Sequence, residues 1–141
     1  MHNVVLDTSV LVAGFRSRHG ASNRLLRAVA RGGLRPPVTT ALFLEYEAVL
    51  LRPEHRIVTG LGPVEIERIL ASLASAAEPV EVHFRWRPQL RDPADELVLE
   101  AAVNGRAEAL VTHNTRDFVM AAKQFGLKVL TPQACLQEFV K

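Results

Sequence analysis

Short β-branched runs alternate along this chain with longer stretches whose apolar residues recur every three or four positions. The first run, Asn3-Val4-Val5-Leu6, predicts a strand buried on both faces that ends in a carboxylate, Asp7. Val10 to Ala13 continues apolar, Gly14 is expected to break it, and 16–20 reads as an exposed basic loop. Ser22-Asn23 predicts the cap of a helix with Leu25, Leu26 and Val29 inward, ended by Gly32-Gly33. Residues 34–38 carry a weak strand signal, because Pro36-Pro37 cannot both sit inside a sheet. Thr39-Thr40 caps a helix over 41–51, closed by Pro53, with Leu42, Tyr46 and Val49 as its stripe. Residues 54–62 read as a linker. Pro63 then opens an amphipathic helix facing inward through Ile66, Ile69, Leu70 and Leu73.

The second half repeats the alternation. A strand is expected at 79–84, a turn at Arg85-Trp86-Arg87-Pro88, and a helix at 97–104 ended by Gly105. A strand up to Val111, a helix over 118–125, a strand over 127–130 and a helix over 133–140 complete the chain. Strands alternating with helices, with one tandem helix pair in the middle, predict a parallel, right-handed α/β sheet.

At 141 residues the expectation is one domain, 1–141, with a substantial core. No stretch approaches the roughly 20 apolar residues of a membrane span, and the N-terminus enters a strand at once without a signal pattern. The lone Cys135 excludes an intrachain disulfide and a thiolate cluster. A cytoplasmic protein without a membrane partner is therefore expected. Net charge is only +2, but it is unevenly distributed. No acid falls between Asp7 and Glu45, whereas Arg16, Arg18, Arg24, Arg27, Arg31 and Arg35 all do; Arg85, Arg87 and Arg91 form a second basic knot around Trp86. Such segregation fits either solvated helix backs or a footprint for a polyanion. Trp86 is a core anchor or a stacking platform for a base.

The carboxylates change the picture most. Asp7 stands where ligands gather in open α/β sheets, outside the carboxyl end of a strand, although it could also cap the following helix. Glu45 lies within a core-facing stripe, where a carboxylate is costly unless paired, hydrogen-bonded or bound to a cation; it could instead sit at the stripe's edge or bridge to an arginine. Asp92 with Pro93 is an N-cap signature, Asp95 falls at the third helical position, and Glu96 crowds onto the same helix start. Asn114 and Asp117 form another polar cluster after a strand. Carboxylates without cysteine or a histidine pair are the hard-oxygen ligand set of Mg²⁺ or Mn²⁺, ions that activate water for phosphoryl displacement.

Taken in order, Val5-Leu-Asp-Thr-Ser9, Glu45, Asp92-Pro-Ala-Asp95 and Val111-Thr-His-Asn-Thr-Arg-Asp-Phe118 give the chain a resemblance to PIN domains, close to the VapC-type toxins of toxin–antitoxin systems. The resemblance covers essentially the full length. It implies a three-layer domain with a five-stranded parallel sheet and a metal-dependent ribonuclease site for single-stranded RNA. The family's first three acids fall on Asp7, Glu45 and Asp95, as catalytic residues and metal ligands, with Asp92 as an auxiliary or a pure cap. The fourth acid falls on Asn114, an amide; either it serves as a neutral ligand or Asp117 takes over. Arg16, Arg18 and Arg24 would follow the RNA backbone. A homodimer and a small cognate antitoxin protein are the implied partners. The alternative is a catalytically weak module that binds nucleic acid or a protein partner.

Overall fold

The computed structural model describes residues 2–86 and 88–140, so Arg87 of the second basic knot lies outside the described residues. The elements run β1 (Val4–Leu6), α1 (Thr8–Arg16), α2 (Ala21–Ala30), β2 (Pro37–Val38), α3 (Thr40–Leu51), α4 (Pro53–Thr59), α5 (Pro63–Ala76) and β3 (Glu78–Pro79). They continue with α6 (Pro93–Asn104), β4 (Ala109–Val111), α7 (Thr115–Gln124), β5 (Lys128–Leu130) and α8 (Pro132–Phe139). All strand pairs are parallel. Val4, Val5, Leu6, Ala109, Leu110 and Val111 are fully buried. Successive strand residues point to opposite faces, so helices must cover both faces of this pair. The chain is thus α/β, as its alternating pattern predicts.

Among the described residues the expected five-stranded sheet is not formed. One sheet has three strands, in the order β1-β4-β5, and β2 pairs with β3 in a separate two-stranded sheet. Proline chemistry accounts for the break. Between the sheets, His2 and Leu34 form a single bridge, with Arg35 N–H donating to the His2 carbonyl at 2.9 Å. Two residues further along the same edge comes Pro37, which has no N–H to offer the next carbonyl of β1. The ladder stops there. On its other edge β2 remains competent, because an amide at Pro37 is not needed there: Glu78 N–H donates to Pro36 O and Val80 N–H to Val38 O. Beyond Pro79 the expected strand over 79–84 does not continue; the backbone amides of His83 and Phe84 instead donate to the Asn104 side-chain oxygen.

Three further local expectations are corrected. Gly14 does not break α1 but lies inside it, buried where α2 crosses; a Cβ there would stand 2.3 Å from Leu26 Cδ1. The glycine marks a close helix crossing, not a stop. Ser22 and Asn23 lie within α2, whose N-cap is Gly20, and Asn23 Nδ2 donates back to the Gly14 carbonyl. The supposed linker over 54–62 is largely α4, opened by Pro53 and closed by Gly60 in the left-handed conformation that glycine tolerates at a helix end. The expected cap at Thr39 is formed, its side chain accepting from Leu42 N–H, and Thr131 caps α8 in the same way by accepting from Ala134 N–H. Trp86 packs between Phe84 and Phe125, with ring centroids 5.7 and 4.8 Å away, so its packing role is the one observed.

Candidate active site

The carboxyl ends of β1 and β4 lie side by side, with Asp7 N–H donating to the Val111 carbonyl at 2.9 Å. This pairing sets Asp7 beside Thr112. Asp7 precedes α1 in the N-cap position, yet its side chain makes no capping bond. Its carboxylate instead accepts from Thr112 Oγ1 at 2.7 Å and Ser9 Oγ at 2.8 Å, both on Oδ2, and from Thr8 Oγ1 at 3.4 Å on Oδ1. Only 4% of Asp7 is exposed. A carboxylate so buried, with no ion pair among the described residues, needs several donors, and hydroxyls from two chain segments supply them.

Tyr46 holds α3 against this strand end. Its hydroxyl, on a ring only 1% exposed, donates to the Leu6 carbonyl at 2.5 Å. That carbonyl points to the edge where the β1–β2 ladder stopped, so a phenol occupies the place of a strand amide. Burial, and then the charge of Asp7, raise the Tyr46 hydroxyl well above its ordinary pKa and keep it a donor. One position earlier on the same helix, Glu45 faces a cavity of about 500 Å³ that Asp7, Asp92, Asp95, Asn114 and Arg16 also line. Its side chain is one-fifth exposed and stands 4.0 Å from Arg52 Nη2, a loose pair. Glu45 is therefore both arginine-neighboured and turned to the cavity.

The acids crowding the start of α6 divide their work. Asp92 Oδ1 caps the helix by accepting from Ala94 N–H at 2.9 Å. Glu96 Oε1 accepts from the Leu90 amide at 2.5 Å and also from the Gln89 amide, tying the preceding loop to the helix. Asp95 has neither a hydrogen bond nor an ion pair among the described residues. Its carboxyl is pushed up to about 6, first by burial and then by the charges of Asp7, Asp92, Asp117 and Glu96. Acids gathered this way repel one another unless a cation offsets them.

Asn114 precedes α7, makes no side-chain cap and lines the cavity with Asp7, while its N–H donates to Thr112 Oγ1 at 3.0 Å. Asp117, in the first turn of α7, lines an adjoining cavity of about 340 Å³ with Asp92 and Asp95. Arg16 is at the main cavity; Arg18 and Arg24 are exposed and do not line it. Several residues at the site carry no carboxylate and were not singled out from the sequence. Thr112 and Ser9 hold Asp7; Arg52, His55 and His113 line the cavity. Buried Ser22 meets His113 Nε2 at 2.8 Å through its Oγ, which fastens α2 to the loop after β4. Among the described residues no three Asp, Glu, His or Cys side chains converge closely enough to enclose an ion as they stand.

A parallel α/β fold that collects carboxylates at the carboxyl ends of its strands, with arginine at the cleft, has the features of a phosphoester-cleaving site. Residues 3–116 match the PIN domain family, and the chain belongs to it. PIN domains are, as a class, nucleases, commonly of RNA, that typically employ divalent metal ions. No curated protein matches the chain. Among the described residues, no helix is long and apolar enough to cross a membrane.

Proposed function

We propose that this chain is a Mg²⁺- or Mn²⁺-dependent endoribonuclease for single-stranded RNA, acting as the toxin of a toxin–antitoxin pair. The observation that carries the catalytic part is the unpartnered Asp95 carboxylate, sharing one cavity with Asp7 and Glu45. These oxygens are hard donors whose accumulated charge suits a small divalent cation, so the donor set fits the metal in chemistry. Asp7, Glu45 and Asp95 would hold it, with Asn114 contributing a neutral oxygen. Bound there, the metal would lower the pKa of water and offset charge on the phosphate.

The chain's own groups do the rest. Thr112, Ser9 and Thr8 fix the Asp7 carboxylate through their hydroxyls, so its orientation does not depend on the ligand. Arg16 at the cavity binds a substrate phosphate, and Arg18 in the loop after α1 and Arg24 on α2 extend the positive surface. The toxin role, with a small antitoxin protein as partner, rests on the resemblance of the ordered motifs to VapC-type toxins. A homodimer is supported by the exposed apolar residues Leu44 and Leu51 on α3, Ile57 and Val58 on α4, and Val64 on α5.

Cleavage of single-stranded RNA with Mn²⁺, compared with EDTA and with DNA of the same sequence, is the test. Asp7→Asn should abolish cleavage and keep a cooperative melt. Undiminished cleavage by that variant would overturn the site assignment. Asn114, standing where the family has its fourth acid, favours a second reading as a binding module. RNA binding by the parent with no cleavage under any divalent ion would establish that reading instead.

A further inference from the structure

The acids do not sit at the bottom of one pocket. Asp92 and Asp95 line two adjoining cavities, of about 500 and 340 Å³. Arg16, Arg52 and His55 belong only to the first, and Arg91, Arg116 and Met120 only to the second. The acidic centre therefore has cationic side chains on both of its sides, supplied by α1 and the α3–α4 junction on one and by the loop before α6 and the start of α7 on the other. Neither Arg91 nor Arg116 makes a salt bridge among the described residues, so their charge is not spent on the fold. Met120, 82% exposed, and the half-buried Leu90 add apolar surface beside them.

We propose that the second cavity is a nucleotide subsite on the far side of the scissile phosphate, with Arg91 and Arg116 binding the phosphate that follows and Met120 and Leu90 receiving its base. The inference rests on the nuclease reading and extends it by giving the strand a path. Carboxylates repel phosphates, so a polyanion crossing the acidic centre needs attraction on both sides of it. One basic flank would hold one end of the strand; two flanks stretch it across the acids. Each cavity is on the scale of a small-ligand site, roughly 300–1,000 Å³. That scale suits a nucleotide in a single strand better than a stacked duplex. A linear substrate bound on both sides is cut internally, which fits an endonuclease.

The test compares kcat/KM for a labelled oligoribonucleotide of about eight residues, within the range of single-strand site sizes, over a series of salt concentrations with Mn²⁺. The R91A/R116A variant is set against R68A/K123A, which removes two exposed charges away from both cavities, and melting curves verify folding. R116Q alone serves if the double variant does not fold. R91A/R116A should lower kcat/KM about tenfold, mainly through KM, and should reduce the log–log salt slope by about 1.4, as expected for two lost contacts to a single strand. The R68A/K123A pair should stay near the parent. If R91A/R116A, or R116Q in its place, cannot be told from R68A/K123A in KM and salt slope while the parent cleaves, the subsite is refuted. If the parent itself cleaves nothing, the nuclease reading falls and this subsite with it.

Discussion

Thr112 Oγ1 donates to Asp7 Oδ2 across 2.7 Å while accepting the Asn114 amide at 3.0 Å, so one hydroxyl links the buried acid at the end of β1 to the residue that opens α7. Thr112→Val keeps the shape of the side chain and removes both bonds. Cleavage should fall about 10–100-fold, as when the hydrogen-bond partners of a metal ligand are removed, and Thr112→Ser should restore most of it. Equal rates for Thr112→Val and the parent would mean that Asp7 is held well enough by Ser9 and Thr8.

The position of Asp95 makes a prediction about acid and stability. Its carboxyl titrates at about 6 in the folded chain against an ordinary 3.8. Between those values the folded protein binds the proton more tightly than the unfolded chain, so stability falls as pH rises through that window, and the full penalty is present above it. Solvent screening of a partly exposed group limits the penalty to about 1 kcal/mol. Asp95→Asn should therefore melt a few degrees above the parent near neutral pH in EDTA, with the gain shrinking toward acid pH. A gain that grows on acidification would contradict the repulsion argument.

Tyr46→Phe removes the donor to the Leu6 carbonyl without opening a large cavity. Leaving that buried oxygen unsatisfied should cost about 1–3 kcal/mol, read by urea unfolding. An unchanged midpoint would show that another donor takes over.

Asn114 and Asp117 face different cavities, which separates their expected effects on metal. Asn114→Asp adds charge beside Asp7 and should tighten Mn²⁺ binding several-fold by calorimetry. Asp117→Asn should leave that affinity within about twofold, because its side chain lines the neighbouring cavity. Loss of Mn²⁺ binding in Asp117→Asn would return the fourth corner to Asp117.

Much of this site could be read from residue order, and the reasons for what could not are physical. Asp7 and Asp95 stand at chain features that leave local marks: the end of a β-branched run, and a Pro-opened helix start. Glu45 was visible because a carboxylate interrupts an apolar stripe. Thr112 and Ser22 leave no such mark, since a hydroxyl is unremarkable until the fold brings it to a carboxylate or an imidazole 105 or 91 residues away. Gly14 misleads for a related reason. Its purpose is the approach of Leu26 from another helix, which no window around residue 14 contains. The helix α4 was hidden by its shortness and by having no buried residue, so no apolar stripe announces it. The five-strand expectation failed at Pro37, although the difficulty of two adjacent prolines was evident in the sequence itself.

The missing amide of Pro37 also determines how the acids of the cleft are spaced. Asp7 and Thr112 belong to strands joined by a continuous ladder, whose repeat allows little latitude in their separation. Glu45 is carried by α3, which leaves β2 on the opposite side of the break. Its distance from Asp7 is accordingly governed by side chains, with the Tyr46 hydroxyl as the tie nearest the site, and no strand register enters into it. The cleft thus has one edge of fixed gauge and one edge set by packing. Substitutions in the apolar layer beneath α3 are therefore a route by which this fold could retune the width of its acidic centre without touching an acid.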